Sequence, residues 1–237
     1  MKRPDEGGAR RAPSPGTRPP RRAPRVGVLS LQGDFDRHRA SLEPLGVEVV
    51  RVTLPRDLAA LDAIVLPGGE STTLLRLLEA TGLRDPIHAF VRERPALGTC
   101  AGLILLAREC RPLPAPPLEV LDVAVERNAY GRQIDSFSAE VETSVLDGPF
   151  LGVFIRAPRI RRLGEGIEVI ARHRGEPVGV RSGRTVGLCF HPELTSDSRL
   201  HRWFLGEVAG LDVPPARGPA PAAAASPGGR GTGEDHP

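Results

Sequence analysis

Cysteine is scarce: Cys100, Cys110 and Cys189 are the only three in 237 residues. They match no CxxC or metal-ligand spacing, so no metal site is expected. An odd count in a chain read as unexported points to reduced thiols in the cytoplasm. No run of 18 apolar residues occurs, which excludes a membrane-spanning helix. The Arg21-Arg22 pair raises an export signal, but the apolar run behind it, Val26 to Leu31, is too short for a signal core.

Aromatic residues are few as well, nine in all, and none lies in residues 1–25 or 211–237. Twelve of the 25 prolines fall in those two end segments. Such composition buries too little apolar surface to offset chain entropy. The expected organisation is a disordered Pro/Arg-rich tail over residues 1–24, one domain over 25–210 and a Pro/Ala/Gly-rich tail over 211–237. The first 25 residues carry eight Lys/Arg against Asp5 and Glu6, so the pI near 9.1 belongs to the tail. A basic tail is either a solvated extension or a contact for an acidic partner. The middle shows no interleaving of basic and aromatic residues, which argues against nucleic acid as a partner.

What is present alternates. Apolar runs at 26–31, 47–52, 63–66 and 96–98 read as buried strands. Helical spacing follows at 34–45, 71–81, 86–94 and 101–108. This rhythm predicts an α/β fold, a mainly parallel central sheet covered on both faces. After the Pro112–Pro117 loop, strand patterns at 118–126, 137–143, 150–158, 167–173, 177–181 and 185–190 predict added β-hairpins. A last helix is expected over 198–209.

Within GTCAG (98–102), Cys100 stands between Gly98 and Gly102 in the G-x-nucleophile-x-G form of a strand-to-helix elbow. The positive end of the following helix favours a thiolate, and the Ala101 N–H points where an oxyanion would form. On the motif alone, a buried structural cysteine is the competing reading. Cys110, at the end of an apolar helix, and Cys189, inside VGLCF, read as core thiols. A base is found in FHPE: His191 and Glu193, two residues apart in extended chain, point the same way. A carboxylate there fixes the imidazole tautomer, as the third member of a triad does. Both Cys100 and His191 follow buried strands, so both should emerge at the carboxyl edge of one sheet. His38, His88, His173, His201 and His236 lack such context and read as surface residues. Pro67-Gly68-Gly69-Glu70-Ser71 also ends a strand, and its adjacent glycines can offer a backbone N–H at Gly68 or Gly69 as a second oxyanion donor. A phosphate cradle is the rival use, though neither a Walker motif nor G-x-G-x-x-G is present.

Cys100 with His191 and Glu193 resembles the class I glutamine amidotransferases. LSLQGDFDRH (29–38), LPGGESTT (66–73), GTCAGLILLA (98–107), VERNAYGRQIDSF (125–137), VFIRAP (153–158) and FHPEL (190–194) narrow the likeness. Over about residues 25–210 the chain resembles the family of glutaminase subunits of pyridoxal 5′-phosphate synthases. The resemblance implies a three-layer, flavodoxin-like domain that hydrolyses L-glutamine and passes ammonia to a (βα)₈-barrel synthase subunit. It implies that Gly69, Glu70 and Ser71 hold glutamine, with Arg127, Ile155 and Arg156 completing its site. A carboxylate near the substrate ammonium and a guanidinium near its carboxylate suit a zwitterion. Pyridoxal phosphate is then a product of the complex, and no cofactor is implied for this chain. A glutaminase for another synthase, such as that making imidazole glycerol phosphate, and a cysteine sensor on the same fold are the alternatives.

Overall fold

The computed structural model describes residues 22–33, 35–127 and 136–214. Most of the VERNAYGRQIDSF stretch, His236, and residues 1–21 and 215–237 of the two tails therefore lie outside the described residues.

Short β-branched and leucine-rich runs make β1 (Arg25–Leu29), β2 (Glu48–Val52), β3 (Ala63–Leu66) and β4 (Ala96–Thr99). β3 and β4 are buried at every position, as strands covered on both faces must be. Between them run α1 (Phe35–Leu42), α2 (Ser71–Ala80) and α3 (Arg84–Glu93). α1 stops short of the expected 45 because Pro44 supplies no amide; the chain tightens there into a 3₁₀ turn, Glu43–Leu45. α4 (Ala101–Leu106) leaves β4 directly.

Beyond α4 the chain departs from the expected helix over 101–108. Residues Ala107–Cys110 are a strand, β5, so Cys110 closes a strand and not a helix. The cause is tertiary. The amides of Leu118, Glu119 and Val120 bond the carbonyls of Leu105, Ala107 and Leu106, which a longer helix would need for itself. β5 pairs in parallel with β6 (Leu121–Glu126), which pairs antiparallel with β9 (Arg159–Leu163) to form a separate three-stranded sheet. β9 escapes sequence reading because RIRRL carries three arginines in five residues. Cross-strand acids satisfy them: Arg162 reaches both Glu109 and Asp122, and Arg161 pairs with Glu126.

The main sheet has nine strands in the order β2-β1-β3-β4-β12-β11-β10-β7-β8. The first five are parallel; the rest, β11 (Glu176–Ser182), β10 (Glu168–His173), β7 (Ser136–Thr143) and β8 (Phe150–Ile155), add antiparallel pairs. β12 (Thr185–Leu188) is the joint between the two halves. It lies beside β4 in parallel register, Leu188 opposite Thr99. The terminal helical segment splits into α5 (Arg199–Trp203) and a wider π-helical turn, Phe204–Val208, closed by Ala209 N–H to the Phe204 carbonyl at 2.9 Å. Contacts with this body run out to Arg22, which pairs with Asp62, and to Val213, which packs on the core.

Two of the tightest approaches explain the elbow glycines. A Cβ on Gly102 would sit 1.9 Å from the Leu66 carbonyl oxygen, and one on Gly98 would meet the Gly102 backbone at 2.6 Å. β3, β4 and α4 can therefore converge only if both positions lack side chains. Gly102→Ala is expected to cost about 2–4 kcal/mol, a large value for one methyl group, because backbone has to move. That corresponds to a melting temperature lower by roughly 5–10 °C, which scanning calorimetry would read directly.

Candidate active site

Cys100 is the residue between β4 and α4, with φ 49° and ψ −103°. That backbone conformation is sparsely populated for a residue with a side chain and costs on the order of 1–3 kcal/mol. Its amide donates to the Leu188 carbonyl at 2.8 Å, which locks the turn to the end of β12. The sulfur is nearly buried and lies 3.7 Å from the Ile155 carbonyl oxygen. Ala101 opens α4, so its amide belongs to the first turn, where N–H groups have no intrahelical acceptor.

Three residues after β12 comes His191, held by its own amide to the Val153 carbonyl at 2.8 Å. Its Nδ1 donates to Glu193 Oε1 at 2.7 Å, and both side chains are buried. Burial alone would lower the His191 pKa. The Cys100 sulfur and the Glu193 carboxylate outweigh it and push the imidazole up to about 10. Burial would likewise raise Glu193. Two imidazoles, His38 first and His191 after it, hold the carboxyl well below the usual range instead. The site therefore presents sulfur, imidazole and carboxylate in a row. Cys110 and Cys189 present nothing comparable: burial pushes the Cys110 thiol up to about 11 and raises Cys189 further.

The loop after β3 closes the other wall. Gly68 lies so close to His191 that a Cβ would fall 2.2 Å from the ring Cε1. Gly69 has φ 139°, a conformation that side chains avoid. Gln32, which no sequence pattern singled out for a role, lies against Gly69 and donates from Nε2 to the Glu70 carbonyl. Glu70 caps α2, accepting from the amides of Thr72 at 3.0 Å and Thr73 at 2.7 Å. Burial pushes its pKa up, but those two N–H groups prevail and bring it down to about 2. Arg127 donates to Glu70 Oε1 at 2.8 Å and to the Thr72 hydroxyl at 3.1 Å. The carboxylate and guanidinium expected at opposite ends of a zwitterion are thus ion-paired to each other in the cleft.

The cleft has a volume of about 210 Å³, below the span usual for drug-sized ligands and suited to a small metabolite. Gly68, Gly69, Glu70, Ser71, Cys100, Arg127, Ile155, Arg156, His191 and Glu193 line it together with Gly33 and Ile104. Every site residue singled out from the sequence is in that lining except Ala101, which is buried at the start of α4. Arg156, with φ 43°, is exposed at the rim.

Two histidines contradict their expected place on the surface. His38 and His201 are both fully buried. His38 Nε2 is 3.4 Å from Glu193 Oε1, and its ring meets that of His201 edge-on at 6.1 Å. The signal was present in α1, where Phe35, His38 and Leu42 share the buried face. His38 occupies a core position of an amphipathic helix.

A cysteine on a strained elbow beside a buried imidazole–carboxylate pair can add to a planar carbonyl and return a proton to the leaving group. Known proteins resemble this chain over the span that carries the cleft. A subunit of pyridoxal 5′-phosphate synthase from Thermus thermophilus is 53% identical over 189 residues, covering 78% of this chain and 98% of its own. The same subunit from Pyrococcus furiosus is 48% identical over 196 residues, with the same coverage. A crystal structure of a glutamine amidotransferase superposes with a TM-score of 0.74 at 50% identity, covering 78% of this chain and 99% of that one. A glutamine amidotransferase from Thermotoga maritima, 17% identical with a TM-score of 0.56 and covering 80% and 99% of the two chains, shares the fold. The model of one family matches residues 28–210, the span that holds the whole cleft, and the chain belongs to it: the SNO glutamine amidotransferase family.

Proposed function

We propose that this chain is the glutaminase subunit of a pyridoxal 5′-phosphate synthase, hydrolysing L-glutamine to L-glutamate and ammonia. The observation that carries the reading is the buried row of Cys100, His191 and Glu193 at the head of a small cleft. Cys100 sulfur attacks the side-chain amide carbon of glutamine, forming the C–S bond. The negative charge that develops on the amide oxygen is met by the Ala101 N–H and by a peptide N–H of the Gly68-Gly69 pair. Collapse breaks the C–N bond, and the His191 imidazolium gives its proton to the departing ammonia. Water then attacks the thioester with His191 as base, releasing glutamate and restoring the sulfur. Glu193 keeps His191 in the required tautomer.

Glu70, Ser71 and Arg127 receive the amino-acid end, with Ile155 and Arg156 at the rim. Substrate entering between Glu70 and Arg127 exchanges one ion pair for two, ammonium to carboxylate and carboxylate to guanidinium. The ammonia passes to the synthase subunit, for which we propose a (βα)₈ barrel. An oxidation sensor would have no use for an imidazole–carboxylate pair aligned on its cysteine.

Glutamate release from glutamine, measured with and without the synthase subunit, tests the assignment. A rise on adding the synthase is expected, since adjacent glycines let the Gly68-Gly69 donor reorient on docking. One missing oxyanion donor costs about 10²–10³ in rate. No release in either case overturns the assignment.

The pH profile follows from His191. A folded-state pKa of about 10, against an ordinary 6.5, means the imidazolium is kept through neutral pH and its stabilisation is lost as pH rises through about 10. Glutamine kcat/KM is therefore expected to stay level from neutral pH upward and fall on the alkaline side. Glu193→Gln removes the neighbouring charge, so its alkaline limb should begin at lower pH.

A further inference from the structure

We propose that His38 is a positioning residue for glutamine hydrolysis: its Nε2–H holds the Glu193 carboxylate from a second structural element, so that Glu193 stays charged and aimed at His191. The inference rests on the glutaminase reading above and deepens it. Three observations carry it. His38 Nε2 and His191 Nδ1 converge on one atom, Glu193 Oε1, at 3.4 Å and 2.7 Å. All three side chains are buried, and a carboxylate out of water needs donors or it takes up a proton. Among the described residues Glu193 Oε2, His38 Nδ1 and His38 Nε2 are all buried without a hydrogen-bond partner. The carboxylate and the His38 imidazole thus face each other with unmet capacity, and the imidazoles of His38 and His191 are the donors in reach.

The 3.4 Å separation is longer than a good N–H···O bond, and its geometry is that of an ion-pair contact. Closer approach with better alignment of the N–H would complete it, a change catalytic hydrogen bonds commonly make when substrate binds. α1 packs directly on the 3₁₀ turn Pro192–Leu194 that carries Glu193, so a small shift of either element is enough. The other groups around the pair do not compete. His201, on α5, faces His38; burial first, and the charge of His38 second, bring its pKa down to about 4, so it is neutral. Asp197 bonds Arg199. The charged residues of α1 itself, Asp36, Arg37 and Arg39, are exposed.

The test uses the full chain in complex with its synthase subunit. His38→Met fills the space without a donor, and His38→Gln keeps a donor. His38→Met is expected to lower kcat for glutamate release by about 10-fold with KM unchanged, the scale seen when a residue orients another by hydrogen bonding. Its alkaline limb should move to lower pH, and His38→Gln should recover most of both. In a Glu193→Gln background the His38→Met penalty should disappear, because His38 acts through that carboxylate. An active parent with a His38→Met variant of equal kcat and pH profile overturns the role. So does a penalty that persists undiminished in the Glu193→Gln background. Should His38→Met fail to fold, His38→Gln decides: a pH limb displaced as far as that of Glu193→Gln would show that a donor there is not sufficient, and the role falls. A parent that releases no glutamate overturns the glutaminase assignment, and the role of His38 with it.

Discussion

Cys100→Ala is expected to abolish glutamine hydrolysis, by about 10⁴-fold or more, while leaving the fold and the docking to the synthase subunit intact. The sulfur is the atom that forms the covalent bond, and nothing near it can substitute. Cys110 and Cys189 are buried, with their thiols held protonated. Alanine keeps the same Cβ and is no more strained at φ 49° than cysteine, and it loses only a sulfur that packs against Ile155. The melting temperature should therefore change little. Supplied with ammonium salts, the complex should still make pyridoxal phosphate, since the variant lacks the ammonia source and not the synthase. Glutamate release, product formation from ammonium and thermal unfolding measured on one preparation check the three parts. Loss of ammonia-fed synthesis would mean that the two chemistries are not divided between the subunits as proposed.

The second large effect is a ranking within the triad. His191→Asn should approach Cys100→Ala, because His191 moves a proton in both halves of the cycle and such work contributes roughly 10²–10⁴-fold. Glu193→Gln should keep more activity. Glutamine at 193 can still accept from His191 Nδ1 through its amide oxygen, so the ring orientation survives even though the imidazolium loses its counter-charge. The electrostatic loss is tempered because the Cys100 sulfur itself raises His191. Steady-state glutamate release for the three variants, each with the synthase, gives the order. A folded, synthase-bound Glu193→Gln as inactive as Cys100→Ala would show that the carboxylate does more than orient and charge its neighbour.

Local chemistry marked out most of the site before any fold was known. The elbow at 98–102 and the HPE turn are written in adjacent residues, and each demands a particular residue type at each step. The strands that carry them were legible for the same reason: β3, β4 and β12 are short apolar runs, and burial on both faces leaves no polar position to blur the pattern. A common carboxyl edge was expected for Cys100 and His191; that β4 and β12 lie side by side, with the Cys100 amide bonded to the Leu188 carbonyl, is decided by the sheet itself.

Long-range hydrogen bonds and charge pairs were not legible. Ala107–Cys110 leaves the helix because residues 118–120 take the carbonyls of Leu105, Leu106 and Ala107, a competition no local window contains. β9 is a strand because acids on β5 and β6 answer its arginines; alone, RIRRL resembles a solvated loop. The ion pair between Glu70 and Arg127 joins residues far apart in the chain. His38 shows the boundary most clearly. Helical spacing with Phe35 and Leu42 carried the signal of its burial, but with no partner visible in the sequence it read as a surface residue. That the partner waiting there is the Glu193 carboxylate depended on how α1 packs against the turn after β12. Residue type and spacing determine which atoms a segment can present. Which atoms meet is settled by packing, because burial makes unpaired polar groups costly and so selects the one arrangement in which distant partners coincide.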